Sequence, residues 1–178
     1  MVNNIVVAVD ESEESMRACE WACKHLLAIE SPAETETTGV PAVTETTEIQ
    51  QQQQQQQSYS FILVRVQTTS SSVSGGPAYI LSDKVVQFLE FDTKRTTQRI
   101  LNRALHICHR YGMKAETHVV FGEAKERICE AAAKLGAHLL VVGTHGHGVL
   151  MRALRGSVSD YCVRNALCPV VVVNRKVF

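Results

Sequence analysis

The sequence lacks an excess of charge of either sign. Across 178 residues, eighteen Lys and Arg balance eighteen Asp and Glu. A formally neutral chain has no long-range field to draw in a polyanion, so neither nucleic acid nor an anionic membrane is an expected partner. Long hydrophobic runs are missing too, so no segment is expected to span a bilayer. The opening Met-Val-Asn-Asn-Ile has neither the basic-then-apolar layout of a secretory signal nor the second-position glycine that myristoylation needs. What remains is an ordinary globular mix, 45% apolar and 20% charged, of a length that suits one domain over residues 1–178. Six cysteines are present: Cys19, Cys23, Cys108, Cys129, Cys162 and Cys168. A core of this size needs no bridges, so they read as reduced thiols of a cytoplasmic compartment, with the nucleus left open.

Ile5-Val6-Val7-Ala8-Val9 is continuously apolar and mostly β-branched, and it stops at Asp10. Such a run suits a strand covered on both faces of a parallel sheet. Ser12 then suits the N-cap of a helix reaching Ile29, with Glu13 and Glu14 at its positive end and Ala18, Cys19, Ala22, Cys23 and Leu26 as its inward stripe. From Ser31 to Ser60 the composition changes to Pro, Thr, Glu and the eight glutamines Gln50–Gln57. This low-complexity stretch has too little apolar surface to offset its ordering entropy, and it is expected to be a disordered insertion in a loop.

Further strands are expected at Phe61–Val66, Ala115–Phe121, Leu139–Val142 and Pro169–Val173. Helices are expected from Ser82 to about Arg110, over Glu123–Leu135, and from near Ser157. The long second helix carries Val85, Val86, Leu89, Ile100, Leu101, Leu105 and Cys108 on its apolar side and ends at Tyr111-Gly112. Gly136 stands where a left-handed cap closes the third. Five strands alternating with four helices predict an α/β fold: a doubly wound parallel sheet with helices on both faces. In the order 3-2-1-4-5, the switch point lies between strands one and four and sets Asp10 opposite Gly143.

After the fourth strand comes Gly143-Thr144-His145-Gly146-His147-Gly148, then seven residues, then Gly156-Ser157 opening a helix. Glycines let a backbone approach phosphate oxygens, and a helix N-terminus favours negative charge. A tight turn and a plain helix start account for the same residues. The lysine of a Walker loop is missing, and no glycine follows the first strand as a dinucleotide fingerprint requires.

The spacing Gly143, two residues, Gly146, nine residues, Gly156-Ser157 resembles the nucleotide-binding branch of the universal stress protein family. Val-Ala-Val-Asp in strand one and the Cys168-Pro169-Val170-Val171-Val172 ending extend the likeness, which has a plant-like cast and spans the chain outside Ser31–Ser60. The resemblance implies that Ala8, Val9 and Asp10 contact the adenosine and approach the phosphates, and that Val66 meets the adenine. It implies that Val142 and Gly143 lie beside the ribose and phosphates, which Gly146, Gly156, Ser157, Val158 and Ser159 wrap. Arg65, often histidine in the family, carries no functional weight in this reading. ATP or AMP is the implied cofactor, and Mg²⁺ could be held indirectly by Asp10. A homodimer through the edge strand Pro169–Val173 is also implied.

The expected function is therefore a dimeric adenine-nucleotide-binding module of a stress or signalling response, whose signalling partner the residues do not name. Two rivals stay open: a weak ATPase or phosphotransferase, and a nucleotide-free scaffold or chaperone-like dimer. Asp10 could instead be a turn residue. His145, His147, Arg152 and Arg155 could touch phosphate or face solvent. Cys19 and Cys23 with His25, like His106, Cys108 and His109, read as core packing and surface rather than metal ligands, and Trp21 as packing.

Overall fold

The computed structural model describes residues 2–27, 58–67, 83–144 and 157–174. Its elements are β1 (Val2–Ala8), α1 (Glu13–Leu27), β2 (Ser58–Gln67), α2 (Asp83–Arg110), β3 (Ala115–Phe121), α3 (Ala124–Lys134), β4 (Ala137–Gly143), α4 (Ser157–Asn165) and β5 (Val170–Val173). The strands form one five-stranded sheet in the order β3-β2-β1-β4-β5, and every neighbouring pair is parallel. This is the doubly wound α/β arrangement that the alternation of elements predicts.

The two-residue period of a strand divides the sheet's side chains between two cores. Ile5, Val7, Phe61, Leu63 and Val141 point to the layer of α1 and α2, where they meet Ala18, Cys19, Ala22 and Cys23 from α1 and Ile100, Ala104, Ile107 and Cys108 from α2. Val6, Ala8, Ile62, Val64, Val66, Leu140 and Val142 point the other way, against Ile128, Ala131 and Ala132 of α3 and Cys162 of α4. This is why the first strand reads as an unbroken apolar run: every residue in it faces a helix layer.

Local chemistry sets the element ends. Ser12 Oγ accepts the Ser15 N–H at 3.2 Å, so Ser12 is the N-cap of α1. At the end of α2, the Met113 N–H donates to Cys108 O at 2.9 Å and the Gly112 N–H to His109 O at 3.0 Å. This Schellman closure needs the left-handed backbone of Gly112, whose φ is +70°. Gly136 closes α3 in the same region, at φ +58°.

The structure departs from the sequence reading at several places. β2 begins at Ser58, so the last three residues assigned to the low-complexity insertion are strand, paired with Val2, Asn3 and Asn4 of a β1 that itself starts earlier than Ile5. Ser-Tyr-Ser reads as polar locally, but the adjacent strand supplies its hydrogen bonds and Tyr59 packs on the α1–α2 core. The rest of the insertion, Gln50–Gln57 included, lies outside the described residues, as does Ile29. β4 begins at Ala137, two residues early; its register against β1 shifts there, and the Asn4 N–H donates to His138 Nδ1 at 3.1 Å. Leu89, expected on the apolar face of α2, is exposed, as are its neighbours Phe88 and Phe91. Among the described side chains of α2 burial starts at Thr97, because the described packing against α1 and the sheet involves its C-terminal half; the side chains of Val85 and Val86 lie outside the described set.

Phe61 is 1% exposed in the central layer, whereas Phe121 at the end of edge strand β3 is 56% exposed. Phe61→Ala is expected to cost about 3–5 kcal/mol in urea unfolding, and Phe121→Ala no more than about 0.5 kcal/mol. Equal losses at the two positions would contradict this layering.

Candidate functional site

Because β1 is followed by α1 on one face and β4 by α4 on the other, the chain diverges between these two strands and leaves a crevice at their C-terminal ends. Ala8, Val9 and Asp10 from the end of β1 form its floor, with Val64, Arg65 and Val66 from β2 on one side and Val142 and Gly143 from β4 on the other. Ser12 and Ser15 at the start of α1, Ala124 at the start of α3 and Val158 at the start of α4 complete the rim. Three helix N-termini therefore open onto one hollow. Each brings the positive end of a helix dipole, which favours an anion.

The β1–α1 turn is fixed by its own hydrogen bonds. Asp10 Oδ1 accepts from the Ser12 N–H at 2.9 Å and also from the Ser12 hydroxyl. The Asp10 N–H donates to Ser15 Oγ at 3.1 Å, and that hydroxyl lies 3.0 Å from Asp10 O and 3.1 Å from Ser12 O. The turn role weighed for Asp10 from sequence is thus present: one carboxylate oxygen holds the turn, and only the other is left for any ligand. The buried serines Ser12 and Ser15 rigidify the loop that carries Asp10 to the rim.

Gly143 has a packing reason to be glycine that its motif spacing does not reveal. A Cβ at this position would lie 2.7 Å from Glu14 C and 2.9 Å from Ser15 N, against the backbone of the first turn of α1. The missing side chain lets that turn settle onto the end of β4 and brings the α1 N-terminus to the crevice.

Two polar atoms beside the crevice lack partners among the described residues. One is Nε of the lining residue Arg65; the other is Oγ1 of Thr144, which directly follows Gly143 and is itself buried. Buried polar groups without a partner are uncommon in folded proteins.

Of the eleven candidate binding residues, seven line this hollow: Ala8, Val9, Asp10, Val66, Val142, Gly143 and Val158. Ser157 and Ser159 lie in the first turn of α4 without lining it, Ser157 exposed and Ser159 buried. Gly146 and Gly156 fall outside the described residues, as do His145, His147, Arg152 and Arg155. Sequence reasoning passed over Arg65, Ser12, Ser15, Val64, Ala124 and Ile128 as lining residues. Arg65 carried the clearest signal, a charged residue inside an otherwise apolar strand one step before Val66.

Strand order, crevice and helix termini together define a Rossmann-like doubly wound α/β protein with a crevice at the β1–β4 switch point. The model of the universal stress protein family matches residues 1–174, and the chain belongs to that family. It is 35% identical over 68 residues to the universal stress protein A-like protein of Arabidopsis thaliana, a match covering 38% of this chain and 39% of that relative. The aligned stretch thus spans about two fifths of that relative's length. Among solved structures, the universal stress protein UspA from Lactobacillus plantarum superposes with a TM-score of 0.66 at 18% identity, covering 96% of this chain and 97% of that one. A universal stress protein family protein from Arabidopsis thaliana, solved with AMP bound, superposes with a TM-score of 0.61 at 20% identity, covering 98% and 93%.

Gly143→Ala would push a methyl group into the Glu14–Ser15 backbone. It is expected to lower stability by about 1–3 kcal/mol in chemical denaturation. Unchanged stability would show that α1 does not rest on this glycine.

Proposed function

We propose that this chain binds an adenine nucleotide, AMP or ATP, in the β1–β4 crevice, and that it acts as a dimeric module reporting nucleotide state to a stress or signalling response. The reading is supported most directly by one observation: Gly143 and Val158, which bracket the glycine–serine segment, line the same hollow as Asp10 and Val66. The AMP bound by the Arabidopsis relative of like fold points to the same ligand class.

The chemistry of the lining suits the two ends of such a ligand. Val9, Val64, Val66, Val142 and Ile128 offer apolar surface for a base. The α1, α3 and α4 N-termini and the Arg65 guanidinium offer positive charge and donors for a phosphate tail. In this reading Gly146, Gly156, Ser157 and Ser159 close around the phosphates, and a Mg²⁺ shared with them rests on the carboxylate oxygen of Asp10 that the turn leaves over.

We read the site as one that binds without efficient turnover. Among the described residues, Asp10 is the only carboxylate in the crevice and no histidine lines it. One partly engaged carboxylate is a poor device for orienting an attacking water. For assembly, β5 is the sheet's edge strand and Val170, Val171 and Val172 are only half-buried, so we assign the two-fold contact between copies to Pro169–Val173.

Calorimetric titration with AMP and with ATP, each with and without Mg²⁺, is expected to give one saturable site per chain. Gly156→Val is expected to weaken it at least tenfold. No measurable heat with either nucleotide under either condition contradicts the proposal. Light scattering at micromolar concentration is expected to give twice the chain mass, and a monomer would remove the β5 contact.

A further inference from the structure

Sequence spacing sets Cys19 and Cys23 one helical turn apart on α1; it gives no hint that a third thiol meets them. The structure brings Cys108 of α2 into the same gap. The Cys23 thiol donates to Cys108 Sγ at 3.7 Å, and Cys19 and Cys108 share a second contact at 3.8 Å. All three sulfurs lie within 4.8 Å of one another, and all three residues are 0% exposed. The chain's other cysteines, Cys129, Cys162 and Cys168, lie in the opposite helix layer and form no such three-ligand group.

We propose that Cys19, Cys23 and Cys108 form a binding site for one soft monovalent metal ion, copper(I), held between α1 and α2. The proposal is independent of the nucleotide reading.

The separations carry the argument. With a metal–sulfur bond of about 2.3 Å, the zinc–thiolate value, three sulfurs around one ion stand roughly 3.8 Å apart in a tetrahedral site and about 4.0 Å apart in a planar trigonal one. Two of the three separations, 3.7 and 3.8 Å, are already close to either arrangement, and the third, Cys19 to Cys23, is within 4.8 Å. A disulfide would require one pair to close to about 2.05 Å, a much larger displacement within a packed helix interface.

The choice of ion follows from what the gap lacks. A tetrahedral zinc site needs a fourth ligand, and among the described His, Cys, Asp and Glu side chains only these three thiols come together. The nearby Glu20 carboxylate already accepts from Arg110 at 2.8 Å and from the Tyr111 hydroxyl at 3.1 Å. Fully buried sulfurs leave no open water position. Three soft ligands without a fourth suit copper(I). Two thiols lose their protons on binding and the third stays neutral, so the complex carries a net charge of minus one rather than a full set of three thiolates around a monovalent ion.

Because no sulfur reaches solvent, the ion enters only when α1 and α2 part, so loading is slow.

The full chain, reduced, desalted and held without oxygen, is equilibrated overnight with copper(I) bicinchoninate, and the copper withdrawn from the dye is counted. X-ray absorption then reports the ligand shell. One copper per chain with a shell of three sulfurs is expected. Cys108→Ala and Cys23→Ala should each lower the affinity at least a hundredfold. The triple variant Cys129→Ala, Cys162→Ala, Cys168→Ala should stay within threefold of the parent. The absorption spectrum of the parent chain tests the site even if a core variant unfolds. Failure to take copper from the dye, a shell with fewer than three sulfurs, loss of binding in the triple variant, or an anaerobic chain already lighter by one disulfide would each overturn the proposal.

Discussion

β1 is enclosed on every side, by β2 along one edge, β4 along the other and a helix layer on each face. A strand in that position cannot carry a polar side chain in its middle or slip by one residue without turning every neighbour to the wrong layer. Ile5, Val6, Val7 and Ala8 are all buried, and after the asparagines at its start the strand stays apolar until the chain leaves the sheet at Asp10. The same placement creates the crevice. The chain winds one way from β1 through β2 to β3 and the other way through β4 to β5, so the connections diverge just past Ala8 and Gly143. Fold and candidate site are thus consequences of where this one strand lies.

That dependence explains what could be read from residues alone. The buried strands announce themselves as β-branched runs, and Ser12, Gly112 and Gly136 mark helix ends through local chemistry that needs no tertiary context. Element order alone set Asp10 and Gly143 at the crevice, whereas Ala8, Val9, Val66, Val142 and Val158 were named only through the family resemblance. Features set by distant partners were not legible. Ser58–Ser60 look like loop but pair with Val2–Asn4. Leu89 looks like core but lies on a stretch of α2 that the described packing does not reach. Gly143 looks like a phosphate contact, and its further role, leaving room for the Glu14–Ser15 backbone that a Cβ would strike, depends on a segment distant in sequence. The approach of Cys108 to Cys19 joins residues eighty-nine positions apart, and no local pattern encodes such a meeting.

The two helix layers divide the molecule's chemistry. The α3–α4 layer and the strand ends supply the apolar part of the crevice through Val66, Ile128, Val142 and Val158. The α1–α2 layer supplies the serine-locked turn at one end of α1 and the three-thiol gap deeper along the same helix. α1 therefore belongs to both places: its first turn rests on β4 through Gly143, and its inward face meets α2 at Cys19 and Cys23. Anything that shifts α1 against α2 would be felt at the rim where Asp10 and Ser15 are tied together.

The central claim is that the hollow past the ends of β1 and β4 is where an adenine nucleotide rests. Amide hydrogen exchange with and without saturating AMP reads this segment by segment. The account predicts slower exchange at residues 9–15, between β1 and α1, and in the first turn of α4, with β3 and the C-terminal half of α2 unchanged. Exchange that stays the same at the β1–α1 turn under conditions where AMP is bound, or protection confined to another face of the sheet, would contradict it.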